Sequence, residues 1–381
     1  MFFIVTNFSS MKDAVRQVIL DRVQEKSFYV CDPKFVERLV DEWYRMLPSV
    51  HPFYAVKCND DPVLLKYLEK NGVNFDCASR GEIAKVLNAG ALPSRIIFAH
   101  TIKSPEALLY AKNVGVNIAT FDSTFELDKV KLYHPECEMV LRIRCDDPHA
   151  LVKLEKYGAN PDEIIPLLEH AKKVGLNVKG ISFHVGSGSR NPDAYWKALK
   201  SAREAYDIAV ALGHAISIID IGGGMYADIE DDGAVTTCVA GYILDGIEDF
   251  FSGTKVEFIA EPGRFFAQHY AVLACQIVGK RIRDGFYEYF LNDSTYGAFS
   301  NVIYEKAVPE PIVIKQIEED AQKHVSVIYG CTCDGVDVIN KQVHLPELEI
   351  DDWLVFPRWG AYTRVLHTGF NSFGDFDTYY V

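Results

Sequence analysis

Phe53-Tyr54-Ala55-Val56-Lys57-Cys58-Asn59 opens as a short apolar run and closes on a lysine. Seven comparable runs follow, at residues 73–79, 96–100, 116–122, 140–144, 180–184, 216–220 and 256–261, with helix-like stretches between them. Strand alternating with helix implies a parallel sheet, and eight such units close a (β/α)8 barrel. Barrels of this kind gather their chemistry at the carboxyl ends of the strands. Lys57, Asp76, His100, Arg142, His184 and Glu261 all fall there. The pattern reads as an enzyme before any motif is matched.

Helix starts are marked. Ser79-Arg80-Gly81-Glu82 and Ser123-Thr124-Phe125-Glu126 have the spacing of capping boxes, and Ser104-Pro105-Glu106 puts proline at the first helical position. Ile164, Leu167, Leu168 and Ala171 make one apolar stripe at helical spacing, and 193–213 reads as another long helix. After Glu261 the texture changes. Short Val, Ile, Tyr and Phe runs at 271–290 and 325–380, including Ile350-Asp351-Asp352-Trp353-Leu354-Val355-Phe356, predict antiparallel strands, which residues 26–30 would join. The expected architecture is α/β: a TIM barrel over 32–268 and a β domain built from 1–31 and 269–381. A length of 381 residues suits that division.

A formal net charge of −14 argues against general affinity for nucleic acid or acidic membranes. The run Met1-Phe2-Phe3-Ile4-Val5 is too short for a secretory core, and no stretch nears the roughly 18 apolar residues of a membrane span. Nine cysteines, an odd number, read as reduced thiols and point to the cytoplasm. Cys331-Thr332-Cys333 lacks the spacing and the second ligand pair of a zinc site, so no metal is expected.

A lysine at a barrel mouth is desolvated, which frees its amine to attack a carbonyl; Lys57 has that position. Gly222-Gly223-Gly224 and Glu261-Pro262-Gly263-Arg264 follow neighbouring strands. Glycine amides and a guanidinium there form a cradle for phosphate, with no Walker or Rossmann unit to suggest a nucleotide. His184 offers a ring to stack on a flat cofactor, and Glu261 a carboxylate to keep a ring nitrogen protonated. Lysine, cradle, ring and carboxylate together describe a pyridoxal phosphate site.

The same motifs, with Phe75-Asp76-Cys77-Ala78-Ser79, Phe183-His184-Val185-Gly186-Ser187-Gly188, Cys333-Asp334-Gly335 and Gly360-Ala361-Tyr362-Thr363, resemble the barrel-type, pyridoxal-phosphate-dependent ornithine/arginine/diaminopimelate decarboxylase family. That resemblance implies an alanine-racemase-like barrel and a homodimer with shared active sites. It implies Lys57 as the Schiff-base lysine, His184 stacked on the ring, and Glu261 on the pyridine nitrogen with Asp76 and Arg142 near. Ser187, Gly224, Gly263, Arg264 and Tyr362 would hold the phosphate, with Pro262 in the same turn. Cys333 would protonate the α-carbon, Asp334 would bind the substrate's distal cation, and Tyr304 and Phe370 would line its pocket. Lys156 and Asp337 would pair across the dimer interface.

In Asn301-Val302-Ile303-Tyr304-Glu305-Lys306, Glu305 stands where ornithine-specific members carry aspartate. This resembles a viral, arginine-decarboxylating branch of the family, which also carries glutamate there. Glu305 and Asp334 could grip a planar guanidinium from two sides, although the same acids could bind an ammonium. The expected reaction is L-arginine to agmatine and carbon dioxide, in polyamine biosynthesis. Ornithine or lysine is the alternative substrate, then diaminopimelate, whose distal carboxylate two acids would repel. An amino-acid racemase would need a second base on the opposite ring face. An inactive regulatory homologue that binds a partner protein is the alternative of another class. Little sequence follows Phe370-Asn371, so no extended carboxyl-terminal tail is expected.

Overall fold

The computed structural model describes residues 4–21, 26–145, 147, 149–151, 156–229, 235–315 and 321–381. Among these, Val36 to Phe266 form one compact unit, and the residues up to Phe35 with those from Ala267 onward form a second.

In the first unit eight parallel strands close in chain order: Val50–Ala55, Asn74–Cys77, Ile96–Phe98, Ile118–Phe121, Glu138–Arg142, Val178–Ser182, Ile218–Asp220 and Glu257–Ala260. The last pairs with both the seventh and the first. Ile97, Val140, Ile218 and Ile259 fill the interior with branched side chains, as a packed barrel core requires. Gly180 has no room for more, since a Cβ there would lie 3.0 Å from the Ile218 carbonyl. Helix Ile164–Val174 buries the expected stripe of Ile164, Leu167, Leu168 and Ala171. The 193–213 stretch is helix Pro192–Ala211.

Most strands stop short of the polar residue that ends each apolar run. Lys57 lies in a single 3-10 turn, Val56–Cys58, while His184 and Glu261 follow their strands rather than ending them. The mouth breaks the ladder because its backbone groups bond across loops. The Ala55 amide donates to the Pro262 carbonyl at 3.1 Å, and the Glu261 amide to Gly222 at 2.7 Å. Lys57, His184 and Glu261 thus sit on turns, free of the alternation a strand imposes, while Asp76, Arg142 and Asp220 remain within their strands.

The two capping boxes are half formed. Ser79 and Ser123 accept the amides of Glu82 and Glu126 at 3.2 and 3.3 Å. The reciprocal bonds are diverted: Glu82 takes the Ala78 amide at 2.6 Å, and the Glu126 carboxylate turns inward to Lys103 at 2.8 Å. Both members of that ion pair are buried. The Lys103 ammonium also donates to the carbonyls of His100 and Thr120 at 2.9 and 2.7 Å, which satisfies all three of its protons. One buried cation therefore ties the loop after the third strand to the fourth strand and the helix beyond it.

The second unit is a mixed sheet. Strand Ala271–Arg283 pairs antiparallel with Phe28–Cys31, Phe286–Leu291 and Trp353–Phe356. The antiparallel expectation needs correcting at two places. Phe286–Leu291 runs parallel to Lys323–Tyr329, and Phe28–Cys31 runs parallel to Asp377–Tyr380. Both pairs join segments remote in sequence, so hairpin texture carried no trace of them. Helix Ile4–Asp21 was also unforeseen; its Met11 and Val15 are buried against Phe28, Val30, Val272 and Trp353. No helix among the described residues is long and apolar enough to cross a membrane.

Lys103→Met should destabilise the protein by about 3 kcal/mol in urea unfolding, because Glu126 stays buried after losing one of its two cations, with Lys129 and the residue-103 amide still beside it. A loss below about 1 kcal/mol would show that the pair does not hold the loops together.

Candidate active site

Lys57, Asp76, Arg142, His184, Asp220 and Glu261 converge at the carboxyl end of the barrel. The Lys57 ammonium bonds the Asp76 carboxylate, whose Oδ1 is buried without a partner among the described residues. Asp220 ends the seventh strand and accepts the Gly222 amide at 2.9 Å. Burial pushes the Asp220 carboxyl up to about 7. Burial and then the charges of Asp220 and Asp76 push Glu261 well above the usual carboxylate range. Asp220 and Glu261 are thus both biased toward holding a proton, beside the cations Lys57 and Arg142. Such a site can hold a protonated ring nitrogen.

His184 is driven the other way, well below its usual range, by burial and then by the charges of Arg142 and Lys57. Its Nδ1 accepts the Gly186 amide at 3.0 Å, which places the proton of the neutral ring on Nε2. The Arg142 guanidinium lies over the Tyr157 ring, 5.4 Å from its centroid, and the His100 ring meets the same tyrosine edge-on at 5.7 Å. Lys156 also lies over Tyr157, at 5.1 Å.

Beside this cluster three loops meet too closely for side chains. A Cβ on Gly223 would lie 2.4 Å from the Glu261 carbonyl, and one on Gly224, whose φ is +102°, 2.3 Å from the Gly186 carbonyl. Gly263 is equally confined, with Cys58 Cβ at 2.9 Å from the same position. The Tyr195 hydroxyl donates to the Gly223 carbonyl at 2.9 Å and holds the glycine turn. Arg264 Nε donates to Ser187 Oγ at 3.2 Å, so guanidinium and hydroxyl are presented together. This is the chemistry of a phosphate cradle. With the Lys57 amine and the proton-retaining carboxyls, the set fits a phosphorylated pyridine aldehyde.

The remaining expected residues belong to the sheet unit. Cys333 is exposed, and its amide donates to Asn371 Oδ1 at 3.1 Å. Asp334 accepts the Tyr296 hydroxyl, a bond that holds its carboxyl below the usual range. Tyr296 in turn stacks on Phe370 at 4.3 Å. Asp337 is buried and accepts four hydrogen bonds, from the amides and hydroxyls of Thr295 and Thr332. Tyr304 ends the short helix Ser300–Tyr304 and is 70% exposed, with half-buried Glu305 capping it. Tyr362 takes a left-handed backbone, φ +54°.

Asp220, Tyr157, Tyr195, Tyr296 and Asn371 were missed from sequence. Asp220 had a signal, since it ends its apolar run as the chosen residues do. The others act through contacts between distant segments.

Asp220 and Glu261 bind protons in the folded protein that the unfolded chain releases above about pH 4. Their contribution to stability is full below that pH and lost as pH rises through about 7. Raising the pH from 5 to 8 should lower the Tm of the ligand-free protein, and Asp220→Asn should flatten that slope. A slope unchanged by the substitution would refute the shared proton.

Residues 34–268 match the family model described as pyridoxal-dependent decarboxylase, pyridoxal binding domain. The crystal structure of the Paramecium bursaria Chlorella virus arginine decarboxylase superposes with a TM-score of 0.96 and 58% identity, covering 97% of this chain and 100% of that one. The chloroplastic ornithine decarboxylase of Nicotiana glauca is 38% identical over 377 residues, 96% of this chain and 86% of that protein. Antizyme inhibitor 2 of Xenopus laevis is 36% identical over 386 residues, 97% of this chain and 84% of that protein. Motifs, barrel and matches agree: this chain belongs to the pyridoxal-dependent decarboxylase family.

Proposed function

We propose that the protein is a homodimeric decarboxylase that uses pyridoxal phosphate to convert L-arginine to agmatine and carbon dioxide. The observation that carries the reading is the convergence of Lys57, His184, Glu261 and Arg264 at one barrel mouth. Lys57 supplies the amine that holds the cofactor's aldehyde. Ser187, Gly224, Gly263 and Arg264 hold its phosphate, with Tyr362. The neutral His184 ring stacks on the cofactor, and Glu261 keeps the proton at its ring nitrogen, with Asp76 and Arg142 balancing charge. When bound, pyridoxal phosphate supplies the electron sink for the carbanion left by carbon dioxide.

In this reading each subunit presents Cys333 and Asp334 to its partner's barrel. Cys333 returns a proton to the α-carbon; Asp334, with Glu305 and the Tyr304 and Phe370 rings, receives the distal cation. Asp337 already accepts four bonds within its own unit. Lys156 of the other subunit would add a charge partner to a carboxylate already held in place. Nine free cysteines fit a reducing compartment such as the cytoplasm.

Arginine is favoured over ornithine by Glu305 and by the 58% identity to a viral arginine decarboxylase. The second reading, ornithine, draws on the 38% match to a plant ornithine decarboxylase. A regulatory role without catalysis draws on the Xenopus antizyme inhibitor, and the retained Lys57, Glu261, Arg264 and Cys333 weigh against it.

Offered arginine, ornithine and lysine separately, the protein should release agmatine fastest, and Glu305→Asp should move the ranking toward ornithine. Putrescine as the main product would establish the ornithine reading, and no amine from any substrate the regulatory one. Cys333→Ala should slow turnover by about 10²–10⁴-fold, the usual worth of a positioned proton donor. An unchanged rate and product would remove that role.

A further inference from the structure

We propose that Asp147 is a positioning residue for the phosphate-binding loop, residues 184–191, acting from outside the site. The inference rests on the reading that the barrel mouth binds pyridoxal phosphate. The loop leaves strand Val178–Ser182 and enters helix Pro192–Ala211, and it carries Ser187 midway. Gly186 and Gly188 take φ values of +116° and +70°, so the loop has no regular ladder to shape it. Its form comes from ties to other segments.

At the amino-terminal end the tie is the Gly186 amide on His184 Nδ1. Beyond Ser187, Arg190 bonds Asp228 at the surface, and the ties of Ser189 and Asn191 converge on Asp147, which enters from the segment after the fifth barrel strand. Ser189 Oγ donates to Asp147 Oδ2 at 2.6 Å, and Asn191 Nδ2 donates to Oδ1 at 3.2 Å. The Asp147 amide donates to the Val185 carbonyl at 3.1 Å, so one residue grips the loop on both sides of Ser187. Asn191 stands at the N-cap of helix Pro192–Ala211 yet makes no side-chain cap; its amide is committed to Asp147 instead. Asp147 and Ser189 are both buried. Burial raises the Asp147 carboxyl, but the bonds from Ser189, the His149 amide and Asn191 outweigh it and keep the group charged. Bonds to a charged acceptor are roughly twice as strong as neutral ones, which suits a residue holding an otherwise irregular loop.

Asp147→Asn keeps the shape but turns one acceptor into a donor facing Ser189 or Asn191. The test titrates the cofactor-stripped full chain with pyridoxal phosphate and, separately, with pyridoxal, following the absorbance of the lysine-bound aldehyde. Asp147→Asn should raise the Kd for pyridoxal phosphate about tenfold, the worth of one charge-assisted bond. The Kd for pyridoxal, which has no phosphate for Ser187 to meet, should change less than about twofold. Ser189→Ala, which removes one tie and leaves the carboxylate intact, should show the same phosphate-selective loss more weakly. Equal weakening for both ligands, or none for either, would overturn the assignment. Failure of the unsubstituted protein to bind either ligand would instead remove the cofactor reading itself, and Asp147's role with it.

Discussion

The active end of this barrel is organised by an excess of buried negative charge. Asp76, Asp220 and Glu261 lie out of water with Lys57 and Arg142 as the cations among them. Isolated buried carboxylates are costly, so Asp220 and Glu261 are pushed toward their protonated forms and Asp76 is paired with Lys57. That constraint accounts for the raised carboxyls of Asp220 and Glu261 and for the bond between Lys57 and Asp76, while burial and then the charges of Arg142 and Lys57 lower His184. In the proposed reading a protonated ring nitrogen would be the further cation facing these carboxyls.

The loops around this cluster show how a barrel tolerates so much polarity at one end. Its strands are short, and the backbone groups they leave unpaired are taken up across loops, from Ala55 to Pro262 and from Glu261 to Gly222. Two buried charged groups tie other loops of the same barrel. Lys103 satisfies its three protons between neighbouring loops, and Asp147 does the converse as an acceptor. Lys103 takes up backbone carbonyls of two neighbouring segments, whereas Asp147 takes up side-chain donors of one loop.

Several readings taken from local pattern held because their causes are local. The apolar stripe of Ile164, Leu167, Leu168 and Ala171 is buried on its helix, and Ser79, Ser104 and Ser123 each cap the helix that follows. The acid half of each capping box was diverted, Glu82 to the nearby Ala78 amide and Glu126 to Lys103, 23 residues away along the chain. Residues 4–21 have their apolar positions at helical spacing, from Met11 and Val15 to Val18 and Ile19.

The number of strand–helix units, the residues placed at their ends and the glycine-rich turns could all be read from the chain, because each depends on neighbours a few positions apart. Lys57, His184, Glu261 and Arg264 were identifiable on that basis. Tertiary structure alone decided the parallel pairings in the sheet unit, the proton retained between Asp220 and Glu261, and the commitment of Asn191 to Asp147 instead of to its helix. Each of these depends on groups far apart in sequence meeting out of water, where the energy of a hydrogen bond or charge is set by its surroundings and not by its place in the chain.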